Sequence, residues 1–505
     1  MLRTTTARLP PSTLRLAVSR AAVPRYRPRN SRSTSQSAFE PPSLSSPLQF
    51  TVHFAGRFLK YSLVGCIVVA GTVVSAFEGT HLWVENVELV KDQDPDAKRW
   101  EWDLEADRWS AGDSGTDSSL DLITKHTIRA AWMAQNWGTG SSVGVVTGSN
   151  LGSASARIVD PKLEWAQNFL SIAITRTERA LAKHDNLSPT LLELIIRHAN
   201  VLERINTNDA LLESRTRYER AWAMLGAQGP IAARVAMKLG DLNTRLGESS
   251  EALAWWKRAL SLSQSPSRPS SQDVTISLPT ALPNSPYTQR TIASVLLSLS
   301  SYYASSANDL KAALKIQQEG LKLIQAQTVP PPTTPAETLH SLYLSHRSSL
   351  LSIQQAEVLF ALRNRPKKST DLLASATQTS ERIISILETP TSQATATAPN
   401  NSMPPPPPPL AKKLSDSKTL KKPAESLLRD ARRSAADAWN LTGVLSEGVD
   451  KTKAMECYQR AVEILGIRDA GADTFSGPKD GIPPSEWAAI KSNYERMRRA
   501  NPNKQ

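Results

Sequence analysis

The side chains that most often perform chemistry are scattered along this 505-residue chain and do not gather into motifs. Its seven histidines are His53, His81, His126, His184, His198, His340 and His346. None has a cysteine, an acid or a second histidine at the spacing that a metal site requires. The Gly/Ser/Thr-rich stretch 138–152 lacks a lysine at Walker spacing, so it does not indicate a nucleotide site. We therefore predict no metal and no cofactor.

The cysteines and the most acidic run also fail to form a catalytic pattern. Cys66 lies in an apolar run and Cys457 in a helical segment, so two cysteines give no disulfide framework. Asp103, Glu105 and Asp107 alternate with other residues in a way that favours a solvated helix face over an acid–base pair. We expect that the chain is not an enzyme.

The stretch 233–260 carries the clearest structural pattern. Gly240 and Ala252 have no bulk, so two helices can approach closely where these residues cross. Trp256 fills the remaining gap one turn later, and Gly247 suits the turn between the helices. The full pattern consists of Leu239, Gly240, Gly247, Ala252, Trp256 and Ala259.

This pattern resembles the tetratricopeptide (TPR) repeat, a helix–turn–helix unit of about 34 residues. One repeat cannot bury its own apolar face, so the resemblance implies neighbours on both sides. Looser matches fill 160–388. A clearer match in 424–467 uses Trp439, Gly443, Ala454, Tyr458 and Ala461, and a capping helix is predicted at 484–500. The resulting fold is all-α, a solenoid of helical hairpins.

TPR arrays bind polypeptides on the concave surface that their first helices line. In the repeat above, the resemblance assigns Arg234, Met237, Asp241 and Thr244 to that groove. TPR proteins that grip a terminal carboxylate use Lys and Asn at the central groove positions, where this chain has Met237 and Asp241. We therefore expect the groove to prefer apolar or basic segments.

The positive charge of the chain is concentrated at its start. Residues 1–60 contain ten Lys and Arg and the single acid Glu40, whereas the whole chain carries a net charge of +13. The remainder is nearly neutral and shows no basic stripe, which disfavours nucleic-acid binding. The Arg- and Ser-rich stretch 1–45 has the composition of a mitochondrial transit peptide, the alternative being a disordered basic tail.

A charge-free run from Tyr61 to Phe77 follows this basic start. Arg57 and Lys60 precede it and acids follow, which favours a membrane span over a buried core element. We predict a transmembrane helix at 58–78. The charge bias places the N-terminus in the mitochondrial matrix and the C-terminal body in the intermembrane space, as a single-pass inner-membrane protein.

Two further segments complete the predicted domain organisation. Residues 80–150 form a Trp-rich helical segment and a loop, and the indoles are expected to pack on the first repeat. Residues 389–423 are predicted to be a disordered insertion that contains six consecutive prolines. We interpret it as a solvated spacer, the alternative being a polyproline helix that a partner domain binds.

This layout resembles the fungal inner-membrane TPR adaptor subunits of the i-AAA protease supercomplex, with WEWDLEADRW and AAWMAQNW after the span. The resemblance implies an adaptor that presents unfolded or membrane-protein substrates to a AAA protease. An assembly factor for a respiratory complex remains the alternative. A matrix RNA-binding repeat protein would need a basic groove and the opposite topology.

Overall fold

The structure is a computed structural model that describes most of the chain from residue 46 onward. The described ranges are 46–112, 114–138, 160–182, 185–263, 278–305, 309–326, 332–363, 366–388, 410–468, 475–479 and 481–500. The predicted transit peptide at 1–45 and residues 389–409 of the predicted insertion lie outside them. The chain divides into two compact units, Met1–Val74 and Ser75–Gln505.

The described part of the first unit belongs to one long helix, α1 (Ser46–Trp83), which continues into the second unit. Among the described residues, the stretch Phe50–Glu88 is the one helical stretch long and apolar enough to cross a membrane. Its apolar side chains are exposed, whereas a core helix would bury them. The helix runs past both ends of the predicted span at 58–78.

The second unit is built from helices that pair with their neighbours in the chain. After α2 (Pro95–Arg99), the hairpins are α3 (Leu122–Trp137) with α4 (Pro161–Leu181), α5 (Ser188–Ile205) with α6 (Asn208–Met224), α7 (Gly229–Arg245) with α8 (Ser249–Ser263), α9 (Pro286–Ser305) with α10 (Leu310–Gln325), and α11 (Pro335–Ala361) with α12 (Pro366–Leu387). Next come α13 (Leu410–Asp416) and a last hairpin of α14 (Lys418–Ser446) with α15 (Lys451–Leu465). The predicted all-α hairpin solenoid is confirmed.

The second helices of three hairpins begin where the sequence supplies a capping side chain. Thr207 accepts a hydrogen bond from the backbone N–H of Ala210, at 3.3 Å, at the start of α6. The Asp309 side chain accepts a backbone N–H hydrogen bond at the start of α10, and the Asp450 side chain does so at the start of α15. These oxygens satisfy backbone donors that the first helical turn leaves free. Gly247, at φ +85°, makes the left-handed turn between α7 and α8.

The first helices of the hairpins form the inner face of the solenoid. α7 packs on α9, α9 on α11 and α11 on α14, and each of these helices also contacts the second helix of the preceding hairpin. Successive first helices touch because they lie at the smaller radius of the curved stack. This inner face is the surface on which a groove can form.

Two segments of the second unit differ from the sequence expectation. α3 packs against α4 as the first hairpin, although the undescribed residues 139–159 separate them. At the other end, residues 410–423 are helical where a disordered insertion was predicted. Leu414, Leu420 and Leu427 join one apolar cluster there, and that burial stabilises the segment. Pro423 costs one hydrogen bond in the second turn of α14.

The C-terminal end of the stack is closed by a short hairpin and a helix. β1 (Gly466–Arg468) pairs antiparallel with β2 (Phe475–Pro478), and α16 (Pro484–Ala500) packs on α15. Trp487, Ile490 and Met497 of α16 are buried. They cover apolar surface that the terminal hairpin would otherwise leave open to water.

Candidate protein-binding groove

The small residues of the repeat pattern lie where two helices of a hairpin meet. A methyl group added to Gly240 would approach the Trp256 ring nitrogen to 2.4 Å, and one added to Gly443 would approach the Tyr458 ring to 2.8 Å. Both aromatic rings are buried against these glycines. The remaining pattern residues Leu239, Ala252, Ala259, Ala454 and Ala461 are also buried, whereas Gly247 lies in the turn and Trp439 is partly exposed.

The residues assigned to the groove do different things. Arg234 lines it, but Met237 is buried in the core. Asp241 accepts hydrogen bonds from the Trp256 indole at 3.1 Å and from the Ser298 hydroxyl at 2.8 Å, and so joins α7, α8 and α9. The Thr244 hydroxyl donates to the Gly240 carbonyl of its own helix.

Part of the Trp-rich region lies along the inner face of the solenoid. We call residues 92–112 the threaded segment. The Glu101 carboxylate accepts hydrogen bonds from the Ser285 hydroxyl at 2.6 Å and the Tyr287 backbone at 2.8 Å. The Trp102 indole donates to the Ala336 carbonyl at 3.0 Å. The segment thus contacts the starts of α9 and α11, well beyond the first repeat on which packing was predicted.

Two arginines of the first helices hold Glu105 at the centre of this segment. Arg290 Nε lies 2.7 Å from Glu105 Oε1, and Arg234 Nη2 lies 3.0 Å from the same oxygen. The Arg290 side chain is 0% exposed, and its guanidinium also stacks 4.0 Å over the Trp102 ring. Burial alone would raise the pKa of the Glu105 carboxyl, but the charges of Arg290 and Arg234 outweigh it and lower the pKa.

A second ion pair joins the segment to α5 and α14. Asp107 lies 2.6 Å from Arg197 Nη2 and 3.1 Å from Lys422 Nζ. Burial opposes ionisation of Asp107, yet the two cations lower its pKa to about 2. The Arg197 guanidinium also stacks 5.0 Å over the Trp109 ring.

His340 completes the buried network beside Arg290. Its Nε2 lies 2.8 Å from Gln289 Oε1 and its Nδ1 lies 3.1 Å from Arg290 Nη1. Because arginine can only donate, Nδ1 accepts and Nε2 carries the proton of a neutral ring. Burial and then the charge of Arg290 lower the pKa of His340 to about 3.

These contacts correct the predicted chemistry of this part of the groove. Arg234 faces an acidic segment of the same chain, not the apolar or basic peptide that was expected. The expectation rested on Met237 and Asp241, whose side chains pack between the helices and do not line the groove. Arg197 and Arg290 were not predicted from the sequence. The available signal was that three successive first helices, α5, α7 and α9, each carry an arginine within an apolar pattern. A cavity of about 560 Å³ remains between the segment, α5 and α7.

Within the described ranges, the threaded segment does not extend over the second half of the inner face, where several side chains are exposed. We call this second half the open half and define it by Ser301, Gln354, Glu357 and Asp437, which lie on α9, α11 and α14. A cavity of about 310 Å³ between α9 and α11 is lined by the first three of these residues. Ser301, Glu357 and Asp437 are exposed. The surface combines hydroxyl, amide and carboxylate groups.

Although Glu357 and Asp437 reach the surface, packed neighbours surround their carboxylates closely enough to disfavour an anion. Desolvation raises the pKa of Glu357. Desolvation and then the nearby Glu486 raise the pKa of Asp437 to about 6, Glu357 adding to the effect against the charge of Arg433. A cationic side chain placed between Glu357 and Asp437 would relieve this repulsion.

The described residues contain no group of three or more His, Cys, Asp or Glu side chains that is arranged to hold a metal ion. One pentapeptide, GSSVG at 140–144, has the Gly-X-Ser-X-Gly spacing of a nucleophile elbow. It lies outside the described residues. The described element before it is α3, not the strand that such an elbow requires.

Comparisons with known proteins do not place the chain in a family. No protein-family model matches it, and no curated protein matches it. Among solved structures, the human IFIT1 dimer with m7Gppp-AAAA is 11% identical, covers 85% of this chain and 87% of its own, and has a TM-score of 0.27. A monomeric IFIT1 mutant with m7Gppp-AAAA is 12% identical, with coverages of 85% and 92% and a TM-score of 0.26. With TM-scores this low, the description of the fold rests on the chain's own helices.

Proposed function

We propose that this chain is a membrane-anchored helical-repeat adaptor that binds segments of other polypeptides in its open half. It serves mitochondrial protein quality control by presenting unfolded or membrane-protein substrates to a AAA protease of the inner membrane. The observation that carries the proposal is the contrast between the two halves of the inner face. The threaded segment fills one half, whereas the other half presents exposed polar and acidic side chains within the described ranges.

The filled half shows how the inner face holds a polypeptide. The threaded segment is held by ion pairs, by an indole hydrogen bond to a carbonyl and by carboxylate contacts to a helix start. The open half is built on the same kind of helices but carries the opposite charge, since α11 and α14 present the carboxylates of Glu357 and Asp437, whereas α7 and α9 present the guanidinium groups of Arg234 and Arg290. A segment that carries Lys or Arg is therefore the preferred occupant.

The membrane part of the proposal is supported by the exposed apolar helix α1 and by the basic start of the chain. The proposed topology places the N-terminus in the matrix and the body after Glu78 in the intermembrane space. Protease protection of a C-terminal tag in mitochondria stripped of their outer membrane tests it. The tag is expected to be digested, and protection of the tag would overturn the topology.

The adaptor role is tested by co-purification and by degradation of an unfolded membrane reporter. The full chain is compared with a Glu357→Gln/Asp437→Asn variant, which removes both carboxylates of the open half. A Glu456→Gln/Asp371→Asn variant removes two exposed acids from α15 and α12 and serves as the matched control. We expect the first variant to lose substrate and slow degradation while it still co-purifies with the protease.

Three outcomes would contradict the proposal. Equal substrate recovery from the open-half variant and its control would remove the assigned binding surface. Recovery of respiratory-complex subunits without a AAA protease would favour the assembly-factor alternative. Recovery of RNA that survives high salt and depends on the open half would place the chain in another class altogether.

A further inference from the structure

We propose that the first turn of α3, together with the stacked indoles of Trp83 and Trp137, forms a contact surface for the lipid bilayer. This surface would seat the body on the membrane in a fixed orientation. The inference rests on the membrane anchoring in the proposed function, and it adds a second, shallow membrane contact outside the spanning helix. All of the residues that form it belong to the second unit.

Contacts between α1 and α3 fix the level of this turn. The ring of Phe77, the last residue of the charge-free run, lies 5.8 Å from the ring of His126. Eight residues later, in the π-helical turn Val84–Glu88 that follows α1, Glu85 lies 2.6 Å from Arg129. Chain numbers therefore increase in the same direction along both helices. The first turn of α3 begins about 6 Å before His126 along the helix, at 1.5 Å per residue. The contact between Trp83 and Trp137 shows that α3 is inclined to α1, so this turn lies close to the level of Phe77.

The side chains on this turn are apolar and open. Leu122 is 66% exposed and Ile123 is 57% exposed, although later apolar residues of α3 such as Ile128 are buried. Two adjacent aliphatic side chains with this exposure leave apolar surface in water unless a partner or a lipid surface covers it. Two of the charges beside them form an ion pair, since Asp121 caps α3 and pairs with Arg176, and the Lys125 ammonium donates a hydrogen bond to the Ser118 carbonyl.

The two indoles lie farther from the apolar run. Trp83 and Trp137 are each 44% exposed, and their rings are 5.6 Å apart. Trp83 follows Phe77 by six residues, which is about 9 Å along a helix. The headgroup region extends about 5–7 Å beyond the hydrocarbon core, so the indoles lie at its outer edge. Tryptophan is enriched at this interface because its ring is apolar and its N–H can be hydrated. Aliphatic side chains at the lipid level and indoles above them are the order that a bilayer surface requires.

We assign the bilayer, and not a second protein, as the partner of this surface because the surface adjoins the end of the apolar helix. If the run that ends at Phe77 spans the membrane, the first turn of α3 lies beside the end of that run and meets the bilayer surface. Depth-dependent fluorescence quenching can test this in the full chain with two sets of nanodiscs. Phosphatidylcholine brominated near the headgroup end of its acyl chains reports position 122, and phosphatidylcholine brominated near the chain ends reports position 69 at the middle of the apolar run. In a Cys66→Ser/Cys457→Ala background, an environment-sensitive fluorophore is attached to one new cysteine at a time.

Three positions separate the possible results. Val69→Cys reports the span, Leu122→Cys reports the proposed contact, and Val449→Cys is the control. Val449 is 92% exposed and follows α14, whose length places it about 40 Å from the start of that helix. The start of α14 lies near the end of α1, because Lys418 Nζ donates to the Val87 carbonyl at 2.7 Å.

We expect strong loss of fluorescence in brominated nanodiscs at positions 69 and 122 and none at 449. Loss at 69 with none at 122 would overturn this inference and leave the anchoring intact. A blue-shifted but unquenched signal at 122 would also overturn it, because another protein would then cover the turn. Loss at none of the positions would refute the anchoring in the proposed function itself.

Discussion

Replacing Glu105 by glutamine removes the charge that holds the threaded segment against the inner face. Its carboxylate pairs with Arg290 at 2.7 Å and with Arg234 at 3.0 Å, both from one oxygen. Glutamine keeps the size and one acceptor oxygen but loses the negative charge. The Arg290 guanidinium, which is 0% exposed, would then lie buried beside a neutral ring of His340 with no counter-charge.

The cost follows from this burial. Removing one partner of a buried ion pair typically costs about 3–5 kcal/mol, because the remaining charge is left uncompensated. Glu105 keeps 15% side-chain exposure and glutamine keeps one hydrogen bond, so we expect about 2–4 kcal/mol for holding the segment in place. Since 1.4 kcal/mol is a factor of ten, the open population of the segment should rise roughly 30- to 1,000-fold.

Native-state hydrogen exchange of the amides in residues 95–112 measures this population directly. The matched control is Asp103→Asn in the same segment. Asp103 pairs with Arg108, and their side chains are 34% and 22% exposed, so its loss should cost less than about 1 kcal/mol. Adding Arg290→Met to Glu105→Gln should restore part of the protection, because the uncompensated charge is then gone. Equal exchange in the Glu105→Gln and Asp103→Asn variants would refute the reasoning.

Three other expectations concern packing and titration. Gly240→Ala should destabilise the body by about 1–3 kcal/mol because the added methyl group meets Trp256. Gly448→Ala is the control, since a methyl group added there has no atom within 4 Å, and chemical denaturation compares the stability of the two variants. The pKa of His340 is about 3 in the folded protein, so below about pH 6.5 the unfolded chain binds more protons than the folded one and stability falls on acidification. His340→Gln should therefore flatten the decline of the melting temperature with falling pH. Asp437 has the opposite sign, because its raised pKa of about 6 removes stability as pH rises through about 4–6, so Asp437→Asn should raise the melting temperature at pH 7.5 and leave it unchanged near pH 3.

The hairpins could be predicted from sequence because their information is local. The contact of Gly240 with Trp256 spans sixteen residues, and the same pairing recurs between Gly443 and Tyr458. Helical periodicity and caps act over still shorter distances. The solenoid multiplies such units, so one well-formed repeat predicts most of the architecture.

The threaded segment could not be predicted in the same way. Its decisive contact, Glu105 with Arg290, joins residues 185 positions apart. An alternating acidic run has the same sequence pattern whether its carboxylates meet water or buried arginines. The boundary at residue 423 failed for a related reason: proline and lysine favour disorder locally, but Leu420 and Leu427 gain burial that only the folded stack provides.

The central claim, that the open half of the inner face binds other polypeptides, is tested most directly by site-specific cross-linking. A photo-reactive amino acid replaces Ser301 on α9 in the full chain, and intact mitochondria are irradiated before the adducts are identified. The account predicts adducts with membrane proteins that are substrates of a AAA protease, and their loss in the Glu357→Gln/Asp437→Asn background. It would be contradicted if Ser301 formed no polypeptide adduct, or if the adducts persisted unchanged without those two carboxylates.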